Sequence, residues 1–179
     1  MAYINPEKEF YEKVYKKYKR YGYTSHGNKW INTILDENPS SWLDVGCGYN
    51  ELIRRCRENE YVKDALGVDF VCPGADQNCD MLDLPFEDKR WDFITAFDVM
   101  EHLLPEQVSA GLTEMSRVSK RFAFTISFVK AFTQIDGKNA HPTVWPKEQW
   151  TKEIEKFGTI FKNHKGFFMG EWKGSNAEE

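Results

Sequence analysis

Four short segments hold the residues whose types and spacing could do chemistry. Asp44-Val45-Gly46-Cys47-Gly48-Tyr49-Asn50 is an apolar run stopped by a glycine turn. Glycines let a backbone turn sharply and approach a ligand with no Cβ in the way, and Asn50 tolerates the left-handed region better than most residues. Asp69 ends the run Ala65-Leu66-Gly67-Val68, where a carboxylate can accept both hydroxyls of a ribose. Asp80-Met81-Leu82-Asp83-Leu84-Pro85-Phe86 and Phe97-Asp98-Val99-Met100-Glu101-His102 follow in order. Taken singly these are weak signals, because aspartate at a strand end is as often a cap or turn former, and Phe70, Met81 and Val99 suit a plain core equally well. His102, in the Glu101-His102 pair, and His141, in Asn139-Ala140-His141-Pro142, are candidates for a general base. His26 could approach from the N-terminal side, and His164 falls in a turn far from the other segments.

The elements that must position these residues alternate. Residues 5–20 read as a helix with Phe10, Val14 and Tyr18 recurring every fourth position, and 28–36 as a second helix. Trp42–Val45, Ala65–Asp69 and Trp91–Ala96 read as buried strands, and Arg121–Val129 as the strongest strand. Helices are expected over 51–59, from Pro105 with Val108, Leu112, Met115 and Val118 as its apolar stripe, and from Pro146 to Phe157. Thr159–Lys162 and Gly166–Trp172 suggest a hairpin. This pattern is an α/β fold with a mainly parallel sheet, an antiparallel C-terminal hairpin and helices on both faces. Ligands of such sheets bind beyond the carboxyl ends of the strands, here just after Val45, Val68, Ala96 and Val129. One irregularity stands out: six residues separate Asp69 from Asp76, whereas a parallel crossover normally needs a dozen or more. Gln77–Asp80 is therefore expected to be a short, irregular edge strand with no helix before it.

A glycine turn with a distal acid is common to dinucleotide and S-adenosylmethionine sites; the later two segments separate them. In order, an acidic-glycine turn, an Asp80-x-x-x-Leu84-Pro85-Phe86 segment and an Asp98-Val99-Met100-Glu101-His102 segment resemble the class I (Rossmann-like) S-adenosylmethionine-dependent methyltransferases of the small-molecule type. The resemblance covers roughly residues 42–128. It implies S-adenosylmethionine as cofactor and methyl transfer to a small-molecule acceptor. It further implies that Gly46, Cys47, Gly48 and Asn50 pass under the methionine part, with Asp44 holding the amino group through water. Asp69 would bind the ribose, Phe70 would pack on the adenine, and Asp80 would accept from the adenine amine beside Met81 and Leu82. Ala96 and Phe97 would offer carbonyls to the ammonium, with Val99 as packing. Asn50 stands where the family usually has a third glycine, and the helices flanking its third strand have no counterpart here. The family has no universal catalytic residue. Trp145, Trp150, Tyr18, Tyr21 and Tyr23 could line an acceptor pocket, although Trp150 suits the core better.

Composition narrows the alternatives. The chain of 179 residues suits one domain, expected over 1–173, with 1–37 covering the active site and a disordered tail over 174–179. No apolar run is long enough to span a bilayer, the first residues lack a signal-peptide core, and a cytoplasmic protein is expected. Cys47, Cys56, Cys72 and Cys79 form no CxxC pair, so no metal is expected. A net charge of −4 argues against a surface dominated by phosphate contacts. Lys13, Lys16, Lys17, Lys19 and Arg20, interleaved with tyrosines, keep an RNA methyltransferase open, against the plainer reading of a solvated helix face. A nicotinamide-dependent reductase would share the glycine turn and Asp69 but leaves the later segments unexplained. A non-catalytic S-adenosylmethionine-binding module is the remaining alternative. The motif of amino-methylating DNA enzymes is missing where Asp98-Val99-Met100-Glu101 stands.

Overall fold

A computed structural model describes residues 7–23, 26–58 and 62–174. In chain order the elements are α1 (Lys8–Lys17), a 3-10 turn (His26–Trp30) running into α2 (Ile31–Leu35), β1 (Ser41–Val45), α3 (Glu51–Glu58), β2 (Asp64–Asp69) and β3 (Gln77–Asn78). There follow β4 (Trp91–Phe97), 3-10 turns at Met100–His102 and Pro105–Gln107, α4 (Val108–Val118), β5 (Ser119–Thr125), β6 (Gln134–Ile135), β7 (Lys138–Asn139), α5 (Lys147–Glu155), β8 (Gly158–His164) and β9 (Phe167–Trp172). Seven strands form one sheet in the order β3-β2-β1-β4-β5-β9-β8. Pairs from β3 to β5 are parallel, while β9 runs antiparallel to both β5 and β8. Strand order reverses between β1 and β4, the topological switch point at which such sheets open a crevice.

Each central strand is apolar on both faces because both are covered. Leu43, Ile94, Phe122 and Phe124 pack with Leu112 and Met115 of α4 and Trp150 and Ile154 of α5. Their neighbours Trp42, Phe93 and Ala123 point the other way, against Ile34 of α2 and Leu52, Ile53 and Cys56 of α3. The stripe Val108, Leu112, Met115 and Val118 is fully buried, as its helical spacing requires. A polar thread crosses this core: the Trp42 indole donates to Thr95 Oγ1 at 2.9 Å, and the Thr95 hydroxyl donates to Asp44 Oδ1 at 2.6 Å. Burial of those groups is tolerated because each finds a partner.

No helix intervenes between β2 and β3, and side-chain hydrogen bonds do its work. Asp69 Oδ1 takes the N–H groups of Val71 and Cys72 (3.0 and 2.8 Å), and the Asn78 amide donates to the carbonyls of Asp69 and Cys72 (3.1 and 2.8 Å). The Asp76 carboxylate accepts Gly67 N–H at 2.9 Å and both ends of the Arg57 guanidinium at 3.0 and 2.7 Å, while Arg57 also donates to Ala65 O. The edge strand is accordingly shorter than expected, Gln77–Asn78 alone.

Other boundaries shift for tertiary reasons. The strand expected over Arg121–Val129 starts at Ser119 and stops at Thr125, because the Ser127 N–H leaves the ladder for Glu101 Oε1 at 2.9 Å. The first helix occupies Lys8–Lys17 rather than 5–20, with the earliest residues of that span outside the described ones. A hairpin absent from the sequence reading joins β6 to β7. Its turn residues Asp136 and Gly137 have φ of 51° and 77°, the pair of positive angles that an Asp-Gly turn supplies. Of the expected polar tail, 175–179 lie outside the described residues.

Replacing Asp76 by Ala strands the Gly67 N–H and releases Arg57. Urea titration should show a loss of about 1–3 kcal/mol. Arg57→Ala should cost less, and the double variant no more than Asp76→Ala, because the two side chains act as one unit.

Candidate functional site

A cavity of about 400 Å³ opens beyond the carboxyl ends of β1, β2 and β4. Its lower wall is made of Gly46 and Cys47 after β1, Asp69 and Phe70 after β2, Asp80 and Met81 after β3, and Phe97, Asp98 and Val99 after β4. Its roof is Tyr11 and Tyr15 of α1 with Arg20, Tyr21 and Gly22, and its far end is Glu101, His102, Ser127 and His141. The glycine turn is tight for steric reasons: a Cβ on Gly46 (φ 70°) would lie 2.3 Å from Val99 Cγ2, and one on Gly48 (φ 55°) would lie 2.2 Å from the Gly22 carbonyl.

Eight residues expected to contact a cofactor thus converge on one cavity, Gly46, Cys47, Asp69, Phe70, Asp80, Met81, Phe97 and Val99. Five others stand behind it. Gly48 is packed under Gly22. Ala96 is fully buried within β4. Leu82 packs against the core and donates its N–H to Asp80 Oδ1 at 3.0 Å, fixing that carboxylate. Asn50 adopts the expected left-handed conformation (φ 63°), but its side chain lies against Gly67 and Asp76. Asp44 lines a smaller pocket that shares Gly22, Gly46, Cys47 and Phe97 with the main one. Burial pushes its carboxyl up to about 7; the Thr95 hydroxyl opposes the shift and the charge of Asp69 adds to it.

Asp69 is the most committed group in the cavity. Its Oδ1 accepts Val71 and Cys72 N–H, and its Oδ2 accepts Gly48 N–H and the Tyr15 hydroxyl, each at 3.1 Å. A carboxylate offers about four such positions, so all are taken. The Tyr15 hydroxyl is the side-chain donor of the set and the one that can leave without unmaking a turn. Burial, then the nearby Asp69 charge, raise the Tyr15 phenol well above its ordinary value, so it stays a donor.

The two candidate histidines differ. His102 donates Nδ1–H to the Ala140 carbonyl at 2.7 Å and touches the Tyr11 hydroxyl. Burial and the neighbouring His141 depress it to about 3, against the pull of the Ala140 and Asp98 carbonyls. Its Nδ1 is committed to the loop at Ala140, and its ring stands edge-on to Tyr11 and His141. His141 is half-buried and donates Nδ1–H to the Val129 carbonyl at 2.7 Å, leaving Nε2 with its lone pair. The side chain of His26 lies outside the described ones, and His164 is exposed on β8.

Several residues at the site went unseen in the sequence. Glu101 is fully buried, with Oε1 bonded to Ser127 N–H and Oε2 without a hydrogen-bond partner among the described residues. Burial, reinforced by Asp98, pushes it up to about 8. Its place beside His102 was visible, but no local pattern reveals a buried carboxyl. Arg20, one cation among five in the basic run, is the lysine or arginine that reaches the cavity wall. Tyr21 was left open as a pocket residue and does line it, whereas Trp145 and Trp150 pack against each other at the core, with ring centroids 4.9 Å apart and planes tilted by 48°. No cluster of three metal-ligating side chains occurs among the described residues.

Residues 15–159 match the model of a methyltransferase domain family. No curated protein matches the chain by sequence. Among solved structures the chain is similar to 1,6-didemethyltoxoflavin-N1-methyltransferase of Burkholderia thailandensis, which holds 1,6-didemethyltoxoflavin and S-adenosylhomocysteine, with 14% identity, a TM-score of 0.70, and 96% of this chain and 92% of that chain covered. It is also similar to the PH0226 protein of Pyrococcus horikoshii OT3 (16% identity, TM-score 0.64, 89% and 97% covered). A third likeness is to a complex of the Haloferax volcanii Trm112 methyltransferase activator with a methyltransferase (14%, 0.61, 88% and 78%). Such low identities show a shared fold.

The buried carboxyls predict a pH dependence of stability. Glu101 and Asp44 bind protons more tightly folded than unfolded, up to about 8 and about 7. Their contribution is complete below the unfolded carboxylate range and is lost as pH rises through those values. His102, depressed to about 3, works oppositely: its contribution is present above the ordinary histidine value and is lost as pH falls through about 3. Urea midpoints should therefore decline from about pH 5 to about pH 8. Glu101→Gln should flatten that decline by on the order of a few kcal/mol; an unchanged slope would remove Glu101 as its source.

Proposed function

This chain belongs to the methyltransferase domain family, of the class I, S-adenosylmethionine-dependent kind, and from that membership we propose that it methylates a small-molecule acceptor held under α1. The observation that carries this reading is the single cavity in which the strand-end residues and the N-terminal tyrosines meet. When bound, the cofactor supplies an electrophilic methyl group on a sulfonium, so the protein's task is mainly alignment.

The residues present fit that group. The glycine turn brings backbone to the cavity wall at Gly46, where a Cβ would collide with Val99. Asp69 is the seat for the ribose hydroxyls, with the Tyr15 hydroxyl as the partner they displace. Phe70 and Met81 flank the base and Asp80 faces its amine. Asp44 acts from behind the glycine turn, through the smaller pocket, toward the amino group. Arg20, next to Tyr21 and Gly22 over that turn, is the cation that answers the carboxylate. The acceptor occupies the end walled by Tyr11, Tyr21, His102 and His141, where His141 Nε2 offers it a hydrogen-bond acceptor.

A small acceptor is favoured over RNA by the orientation of α1. Tyr11 and Tyr15 turn into the cavity, whereas Lys13, Lys16 and Lys17 face solvent, so cations and rings do not form one stacking surface. Lys13 is further paired with Glu9 and near Asp136. The bound heterocycle of the Burkholderia enzyme is an acceptor of the same modest size class. We read residues 1–173 as one catalytic domain with 1–37 as its cover, working in the cytosol, where four free thiols stay reduced. No helix among the described residues is long and apolar enough to cross a membrane.

Calorimetric titration with S-adenosylhomocysteine tests the reading, with NADH as the control. Binding of the first alone is expected, and Asp69→Ala should weaken it at least about tenfold, the loss of hydrogen bonds to a charged group. Tyr15→Phe should instead tighten it by about three- to tenfold, because no hydroxyl then has to be displaced. Heat with NADH and none with S-adenosylhomocysteine would overturn the assignment.

A further inference from the structure

Glu101 is the group the cofactor reading does not use. It sits at the acceptor end of the cavity with no exposed surface. Oε1 is held by the Ser127 N–H just beyond β5, and the Glu101 carbonyl is tied to Thr143 N–H in the loop before α5, so side chain and backbone are each anchored. Oε2 has no hydrogen-bond partner among the described residues. Buried polar atoms in folded proteins are almost always satisfied, and an unpartnered one on a residue that lines a cavity points to a donor brought by the ligand.

Rings surround that oxygen's end of the cavity. Tyr11, Tyr21 and His141 each stand edge-on to the His102 ring, at centroid distances of 5.7, 6.2 and 4.7 Å. Walls of this kind suit a flat aromatic guest. We propose that Glu101 is the proton acceptor of the transfer, and that the acceptor is a planar aromatic molecule bearing an N–H or O–H that bonds to Glu101 Oε2. This rests on the methyltransferase reading above.

The step balances without any further reagent. The acceptor's nitrogen or oxygen forms the new bond to the methyl carbon, the carbon–sulfur bond breaks with its pair going to sulfur, and the N–H or O–H proton passes to Oε2. Glu101 ends as the neutral carboxyl that a buried site favours. Burial raises it to about 8, so it holds the proton it takes firmly and its ionised form gains as pH rises through that value. His102, depressed to about 3, cannot match it.

The test uses protein saturated with S-adenosylhomocysteine and two pairs of probes: benzimidazole against 1-methylbenzimidazole, and 2-naphthol against 2-methoxynaphthalene. In each pair the second molecule lacks the proton. Wild type should bind the proton-bearing member of at least one pair about tenfold or more tightly than its methylated partner, as a site built for an N–H or O–H does. Glu101→Gln, which keeps shape and the Ser127 contact, and Glu101→Ala should both lose most of that preference while retaining S-adenosylhomocysteine. Equal binding within both pairs, binding of none of the four, an unchanged preference in Glu101→Gln, or loss of S-adenosylhomocysteine from that variant would overturn the proposal. Failure of wild type to bind S-adenosylhomocysteine would instead strike the methyltransferase reading itself.

Discussion

A carboxylate has room for about four hydrogen bonds, and Asp69 makes four, to three separate parts of the chain. Two fold the turn that replaces a crossover helix between β2 and β3. One fixes the backbone of the glycine turn after β1. The last reaches α1, 54 residues earlier in the chain. The sheet edge, the cofactor cradle and the roof are therefore referenced to one side chain. Of the four bonds to Asp69 only the Tyr15 one belongs to α1, which is held separately by Tyr11 on the His102 and Ala140 carbonyls and by Lys17 on the Gln134 carbonyl.

The compressed edge shows how a parallel sheet can dispense with its usual packing. A helix over β3 would bury apolar area; here Asp76, Arg57 and Asn78 substitute hydrogen bonds between the strand and the turns that flank it. Such contacts are partly exposed and weaker than burial, which limits β3 to two residues. Asp80 nonetheless reaches the cavity, because the turn beyond β3 is pinned by its own bond to Leu82 N–H.

What was legible in the sequence is whatever local chemistry and strand ends determine together. Gly46, Cys47, Asp69, Phe70, Asp80, Met81, Phe97 and Val99 each follow a strand that its apolar run announces, and the sheet brings those ends to one rim. Asn50 and Asp44 were assigned the right backbone and neighbourhood, yet their side chains depend on Gly67, Asp76 and Thr95 across the sheet. The run from Phe122 to Phe128 favours a strand throughout, and only the Ser127–Glu101 bond ends it early. Asp136-Gly137 carried a hairpin signal, but strands of two residues leave no alternation to read beside it. Glu101 and Tyr15 were beyond reach for one reason: their importance lies in partners 26 and 54 positions away.

The acids at this rim also bear on turnover. Asp69 raises Asp44, and Asp98 raises Glu101, so carboxyls around the cavity work against one another's ionisation. Arg20 is the lysine or arginine on its wall, beside Tyr21 and Gly22. A cavity so arranged favours a ligand that brings positive charge into a region of low dielectric. S-adenosylmethionine carries a sulfonium that its product lacks, so methyl transfer removes the charge that the acids had attracted. If Glu101 has taken the acceptor's proton, it is neutral at the same moment. On the proposed mechanism both changes would weaken the hold on the products relative to the substrates, and the site would be reset by releasing one proton and letting the Tyr15 hydroxyl return to Asp69.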